Sequence, residues 1–247
     1  LDLFGAAGPE PGPGAVGPAA PAPEASELAS RLPASLRLGT SSWSFPGWAG
    51  LVFDRRAPEP TLARDGLPAY ARHPLLRAVG LDRTFYAPIP AAEYARYASQ
   101  VPPGFRFLVK AAQACTFPTL RGGRGRAGRG TPNPRFLDPA FAADAVVAPA
   151  AEGLRGRLAA ILFQLPPLPR PLLADTAALA GRIGAFLSAL PPGPPYAVEI
   201  RNRELLVPAY ARALEGAGAA HCYVVHPAMP PVSAQAEAVA LERQPSL

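Results

Sequence analysis

Tyr196-Ala197-Val198-Glu199-Ile200-Arg201 is the stretch on which the fold turns. Side chains on a strand alternate between its two faces, so Val198 and Ile200 share one face while Ala197, Glu199 and Arg201 share the other. The apolar face suits a cover of helices, and the charged face then points to an interior. A carboxylate and a guanidinium withdrawn from water each cost several kcal/mol unless they pair or hold a ligand. Both readings stay open: a buried Glu–Arg pair that closes the fold, or a pair used on a ligand.

Outward from this stretch, short apolar runs alternate with helical patterns, the signature of βα units around a mainly parallel sheet. Strands are predicted at 37–43, in the second half of 76–86, and at 105–111, 158–165, 196–202 and 221–227. The clearest helix falls between the fourth and fifth of these, where Leu172, Leu179, Ile183, Phe186, Leu187 and Leu190 recur at steps of three and four. Weaker helical stretches are expected over 61–72, 91–100, 139–151 and 204–216. The class is α/β. The architecture expected is a TIM-type β/α barrel, incomplete because six parallel strands are recognisable where a closed barrel has eight. The barrel domain spans 35–230 and carries an Arg/Gly-rich insert at 117–134, read as a surface loop. A Pro/Ala/Gly-rich tail at 1–34 has too few large apolar side chains to offset the entropy of ordering, and 231–247 is expected to be a flexible tail.

The same alternation places Arg106, Leu108 and Lys110 on one face of their strand, Ala160, Leu162 and Gln164 on one face of theirs, and Cys222, Val224 and His226 on one face of the last. Asp82, Thr84 and Tyr86 likewise share a face. Polar residues gather at the C-terminal strand ends, the end that carries the active site in β/α barrels. Lys110 is the only lysine among 24 basic residues. It suits a phosphate or carboxylate as a point charge, or acts as an amine nucleophile if burial lowers its pKa; a solvated loop lysine is the bland alternative. Glu199, Lys110 and His226 are the candidate catalytic residues. Arg201, Gln164, Tyr86, Asp82, Trp43 and Ser41 are the candidate ligand-binding residues. Trp43 and Trp48 lie in Gly39-Thr40-Ser41-Ser42-Trp43-Ser44-Phe45-Pro46-Gly47-Trp48, where they form either a wall for stacking a sugar or base or a hydrophobic lid.

Composition narrows the classes. The chain has 247 residues, 49% of them hydrophobic, and a formal charge of +6. Part of that charge is local, in Arg121, Arg124, Arg126 and Arg129, which suggests a nucleic-acid partner as one alternative. Cys115 and Cys222 are too few for a disulfide framework and match no metal knuckle, so no metal site is expected and a cytoplasmic, reduced protein is the default. With His73, His221 and His226 as its only histidines, the chain offers thin ligand supply for a multi-metal nuclease site. No run reaches the roughly 18 apolar residues of a membrane span. The sequence does not say which cofactor, if any, the protein uses.

Five segments together resemble the YecE-like family, the domain of unknown function numbered 72. They are the Gly39–Trp48 stretch above, Asp82-Arg83-Thr84-Phe85-Tyr86, Phe105-Arg106-Phe107-Leu108-Val109-Lys110, Phe163-Gln164-Leu165-Pro166 and Ala197-Val198-Glu199-Ile200-Arg201. The resemblance covers about 37–203 and implies a β/α barrel without a settled activity. Gly80 and Asp82 stand where the family pattern has Glu and Asn. The Arg-Leu-His-Gly-like strand motif is not found, which implies either a chain lacking the usual C-terminal part or a last third that has diverged beyond recognition. The leading functional expectation is an enzyme of hydrolase or lyase type binding a small anionic or sugar-like ligand. A nucleic-acid-binding barrel of endonuclease type and a non-catalytic scaffold are the alternatives.

Overall fold

The computed structural model describes residues 16–120, 130–239 and 245. Its main sheet has six parallel strands flanked by helices, in the order β1-β2-β3-β6-β7-β8: β1 Leu38–Thr40, β2 Leu76–Leu81, β3 Arg106–Lys110, β6 Leu158–Gln164, β7 Tyr196–Glu199 and β8 Ala220–His221. A two-residue antiparallel ladder, β4 Thr119–Leu120 with β5 Thr131–Pro132, frames the Arg/Gly-rich insert. The chain divides into two compact units. One comprises the residues up to 82 with 90–108 and 150–158, the other 83–89, 109–149 and 159 onward.

In the first unit, β1 and β2 run parallel with a register shift between Leu38 and Gly39. Gly39 is required there, because a Cβ would collide with the carbonyl oxygen of Ala78. The Tyr70 hydroxyl sits across the irregularity, accepting from Thr40 N–H and donating to Ala78 C=O, both at 3.0 Å. An aromatic core surrounds it, with Tyr70 edge-on to Phe105 and Trp43 edge-on to Tyr97. The segment 16–34 departs from the expected disordered tail. Pro18 bridges Phe53, Ala19 N–H donates to Val52 C=O, and a helix occupies Pro23–Arg31. Backbone pairing and the burial of small residues, Val16 and Ala29, hold this segment. A count of large apolar side chains misses both effects.

In the second unit, the helix Thr176–Ser188 begins where the Asp175 carboxylate accepts from Ala178 N–H. Its buried stripe is Leu179, Ile183, Phe186 and Leu187, matching the predicted periodicity, and Phe186 meets Phe163 of β6 with ring centroids 5.0 Å apart. Tyr196 lies beside Phe163 on the same side, so Phe163, Tyr196 and Val198 face the helix while Leu162, Gln164, Ala197 and Glu199 face the other way.

Four strand predictions require correction: β1 stops at Thr40 rather than 43 and β7 at Glu199 rather than 202, and the other two differ more. β2 stops at Leu81, and Arg83–Tyr86 forms a helical turn in which the buried Thr84 donates to the Lys110 carbonyl at 2.6 Å. β8 stops at His221, not Pro227. Its last ladder bond runs from Cys222 N–H to Val198 C=O, and β7 ends one residue later at Glu199. Beyond that point Gln235 replaces the missing strand: its amide exchanges hydrogen bonds with Val224 N–H and C=O and reaches Pro230 C=O. Gln235 belongs to the helix Val232–Ala238 and is fully buried, so the expected flexible tail is instead ordered through residue 239.

Candidate functional site

Parallel register lines up the polar residues of the second unit. Gln164 is paired with Glu199, and the bond from Cys222 N–H to Val198 C=O sets Cys222 level with Glu199 on the next strand. Gln164, Glu199 and Cys222 therefore form one row, each about 4.8 Å from the next. Ala111 N–H donates to Leu162 C=O, which sets Lys110 level with Leu162, one step down on the same face.

Glu199 is 7% exposed and ends β7. Arg201 approaches it from the following turn, with Nε 2.6 Å from Oε1 and Nη2 on that same oxygen. Both bonds fall on Oε1, so Oε2 makes no hydrogen bond among the described residues. The amide of the half-buried Gln164 is likewise unengaged among them. Glu199 and Gln164 thus occupy paired positions on a face otherwise lined by Ala160, Leu162 and Ala197. The Lys110 ammonium lies 4.7 Å from the centroid of the Phe85 ring, a cation–π contact that holds its long stem over the turn Arg83–Tyr86. Asn202 closes the edge of the cluster, its Oδ1 accepting from Leu168 N–H at 2.6 Å. Burial pushes the Cys222 thiol up to about 11, with the Glu199 charge adding to the shift and Arg201 opposing it. It is a neutral thiol at physiological pH. Sequence reading put Cys222 on the right face without treating it as part of the site; only the register shows it beside Glu199.

The remaining candidates separate. Tyr86 is 74% exposed on the outside of its turn, because the turn directs Thr84 inward in its place. His226 lies in the loop after β8, its Nδ1 accepting from Ala228 N–H at 3.1 Å, and is not a strand-end residue. His221 is the histidine on β8. It is buried, with its ring between the Tyr210 hydroxyl and the Gln235 side-chain oxygen. Gln235 Oε1 can only accept, so His221 Nε2 carries the proton and Nδ1 accepts from Tyr210. Burial pushes the Tyr210 hydroxyl well above its ordinary range, which keeps it a donor.

In the first unit, Asp82 follows β2 and is half-buried, and Ser41 is exposed after β1. Trp43 is 6% exposed and its indole N–H donates to Leu62 C=O at 3.0 Å. It is a core residue, neither a stacking wall nor a lid. Arg121, Arg124, Arg126 and Arg129 lie outside the described residues. Among the described residues no three His, Cys, Asp or Glu side chains gather as a metal site, and no helix is long and apolar enough to cross a membrane.

These features define an α/β protein whose parallel strands end in a charged, half-buried cluster. A family described as Protein of unknown function DUF72 matches residues 37–244, and the chain belongs to that family. The match runs well past residue 203, where the motifs cease to be legible, so the family pattern continues through the helix Val232–Ala238. A DUF72 family protein from Enterococcus faecalis V583 is 20% identical with a TM-score of 0.52, covering 79% of this chain and 62% of its own. One from Thermotoga maritima MSB8 is 20% identical with a TM-score of 0.50, covering 78% and 65%. The chain therefore spans less than two thirds of the length of these structures, and at such identity they speak for the fold alone. No curated protein matches the chain.

Proposed function

We propose that the strand-end cluster of the second unit binds a small anionic ligand and acts on it by acid–base chemistry, within a β/α architecture of the TIM type. The observation that carries this reading is the Glu199 carboxylate. Arg201 takes one oxygen and fixes the group, and the other oxygen makes no hydrogen bond among the described residues, on a strand position paired with Gln164. An arginine has five N–H donors, and two are spent on Glu199, so the rest can meet an anion that Lys110 attracts from the end of β3, two strands away. Glu199 Oε2 then serves as the base for a substrate C–H or a water, and Gln164 orients the substrate by donating and accepting. Proton abstraction or water activation next to a held anion fits lyase or hydrolase chemistry. The protonated Cys222 supports a route without a thiolate nucleophile.

The test is a thermal-shift screen of phosphorylated and carboxylated metabolites on the full chain, repeated with Lys110→Ala and Gln164→Ala. A ligand at 100 times its Kd adds about 2.7 kcal/mol, or about 5–10 °C in a chain of this size. The shift is expected to vanish in Lys110→Ala and shrink in Gln164→Ala. Hits that stabilise parent and variants equally, or no stabilising anion at all, would sink the reading.

A further inference from the structure

The first unit carries a groove that the strand-end cluster does not use. It has a volume of about 560 Å³, within the range of small-molecule sites, and its walls include Ser41, Ser42, Ser44, Phe45, Trp48 and Glu59. Phe45 is 57% exposed, yet its ring is not loose. It stands edge-on to Trp48 with centroids 5.5 Å apart, and Trp48 is backed by Tyr70 at 6.1 Å. It also lies so close over Gly47 that any Cβ there would strike the ring. The loop thus turns an aromatic face to solvent, with the Phe45 ring packed on Trp48 and Trp48 backed by Tyr70.

The polar side of the groove is equally set. Ser42 Oγ accepts from Ser44 N–H at 3.2 Å and pairs with Ser44 Oγ at 3.0 Å, which ties the two side chains together. The floor beneath them is tied by Thr40, whose Oγ1 donates to Ser42 C=O at 2.7 Å. Ser41 Oγ and the Glu59 carboxylate make no hydrogen bond or ion pair among the described residues. Among the described residues no Lys or Arg lines this groove, and the charge there is the negative one of Glu59. An anion is therefore disfavoured, in contrast to the cluster of the second unit. A purely apolar ligand would strip water from Ser41 and Glu59 without replacing it. The fitting ligand has an apolar face to lie on Phe45 and Trp48, and hydroxyls around its edge that donate to Glu59 and both donate to and accept from the serines.

We infer that this groove is a binding site for a neutral saccharide, with the Phe45 and Trp48 rings as the stacking surface and Glu59 with Ser41 as the polar contacts. This site is independent of the proposed anion chemistry, because its ligand class and residues differ.

The experiment is a titration of the full chain with neutral mono- and disaccharides (glucose, N-acetylglucosamine, maltose, cellobiose), read by tryptophan emission and saturation-transfer NMR, with tetramethylammonium and inorganic phosphate as competing probes. The chain has two tryptophans, and Trp43 is buried, so a saturable change in emission reports Trp48. At least one saccharide is expected to bind saturably. Phe45→Ala is expected to weaken it about tenfold and Glu59→Gln severalfold. Both positions are exposed, so these variants keep the parent circular-dichroism spectrum and melting temperature. Lys110→Ala is expected to leave saccharide binding unchanged, which separates failure here from failure of the anion site. The inference is overturned if no saccharide saturates the signal, if Phe45→Ala binds as the parent does, or if tetramethylammonium or phosphate occupies the groove in a saccharide's place.

Discussion

Removing the charge of Glu199 while keeping its shape measures what the Glu199–Arg201 pair contributes to the fold. The two side chains are 10% and 20% exposed, so most of the guanidinium has left water. At an effective dielectric of about 20, unit charges about 3 Å apart attract by about 5 kcal/mol, most of it offset by desolvation. Glu199→Gln leaves that desolvation unreturned on Arg201. Removing one partner of a buried pair costs about 3–5 kcal/mol, and the residual exposure of Arg201 places this case near the lower end, at about 3 kcal/mol. For a chain of this size the melting temperature falls by about 6–12 °C. Arg201→Met is expected to cost a similar amount. The double variant Glu199→Gln/Arg201→Met is expected to lose no more than either single one, a coupling of about 3 kcal/mol. Urea unfolding followed by circular dichroism reads all four corners of the cycle. Additive losses, or a Glu199→Gln protein within about 0.5 kcal/mol of the parent, would refute the claim that the pair is coupled and buried.

Gln235→Met keeps the side-chain length but takes this partner from Val224 N–H, Val224 C=O, Pro230 C=O and His221 Nε2–H, and about 1 kcal/mol for each predicts a loss of about 4 kcal/mol; a urea midpoint unchanged from the parent, with no faster amide exchange at Val224, would contradict it. His221 titrates below its ordinary 6.5, chiefly because burial disfavours the imidazolium and despite its bond to Gln235. Among the groups that face it are the neutral Tyr210 and Gln235, with the Tyr223 ring 5.1 Å away. As pH falls below about 6.5 the unfolded chain binds a proton that the folded chain refuses. Stability is therefore full above that pH and declines below it until the lowered folded value is passed, by at most about 1.4 kcal/mol per pH unit. Denaturation midpoints between pH 7.5 and 5 test this, and His221→Asn should remove the part of the slope that belongs to this group.

The sequence alone determined the elements whose signal is local. Alternation in 196–199 placed Glu199 on the polar side of β7, although Arg201, read as part of the same strand, lies in the turn after it, and the three-and-four spacing from Leu179 to Leu187 placed the helix that covers the other side. Both patterns follow from covalent geometry, which every strand and helix repeats. The motifs legible up to residue 203 were enough to carry the family resemblance. Where elements end was not local. Leu81-Asp82-Arg83-Thr84-Phe85-Tyr86 alternates as a strand would, yet it turns at Asp82 because Thr84 bonds the end of β3, 26 residues away in sequence. Cys222, Val224 and His226 alternate equally well, yet the ladder stops because β7 is one residue too short to continue it, and so His221 is the strand histidine. Trp43 reads as a candidate ligand platform until Leu62 and Tyr97 are seen to enclose it. Tertiary structure decided these points, because a strand lasts only as long as its neighbour and a side chain is buried only by what packs against it.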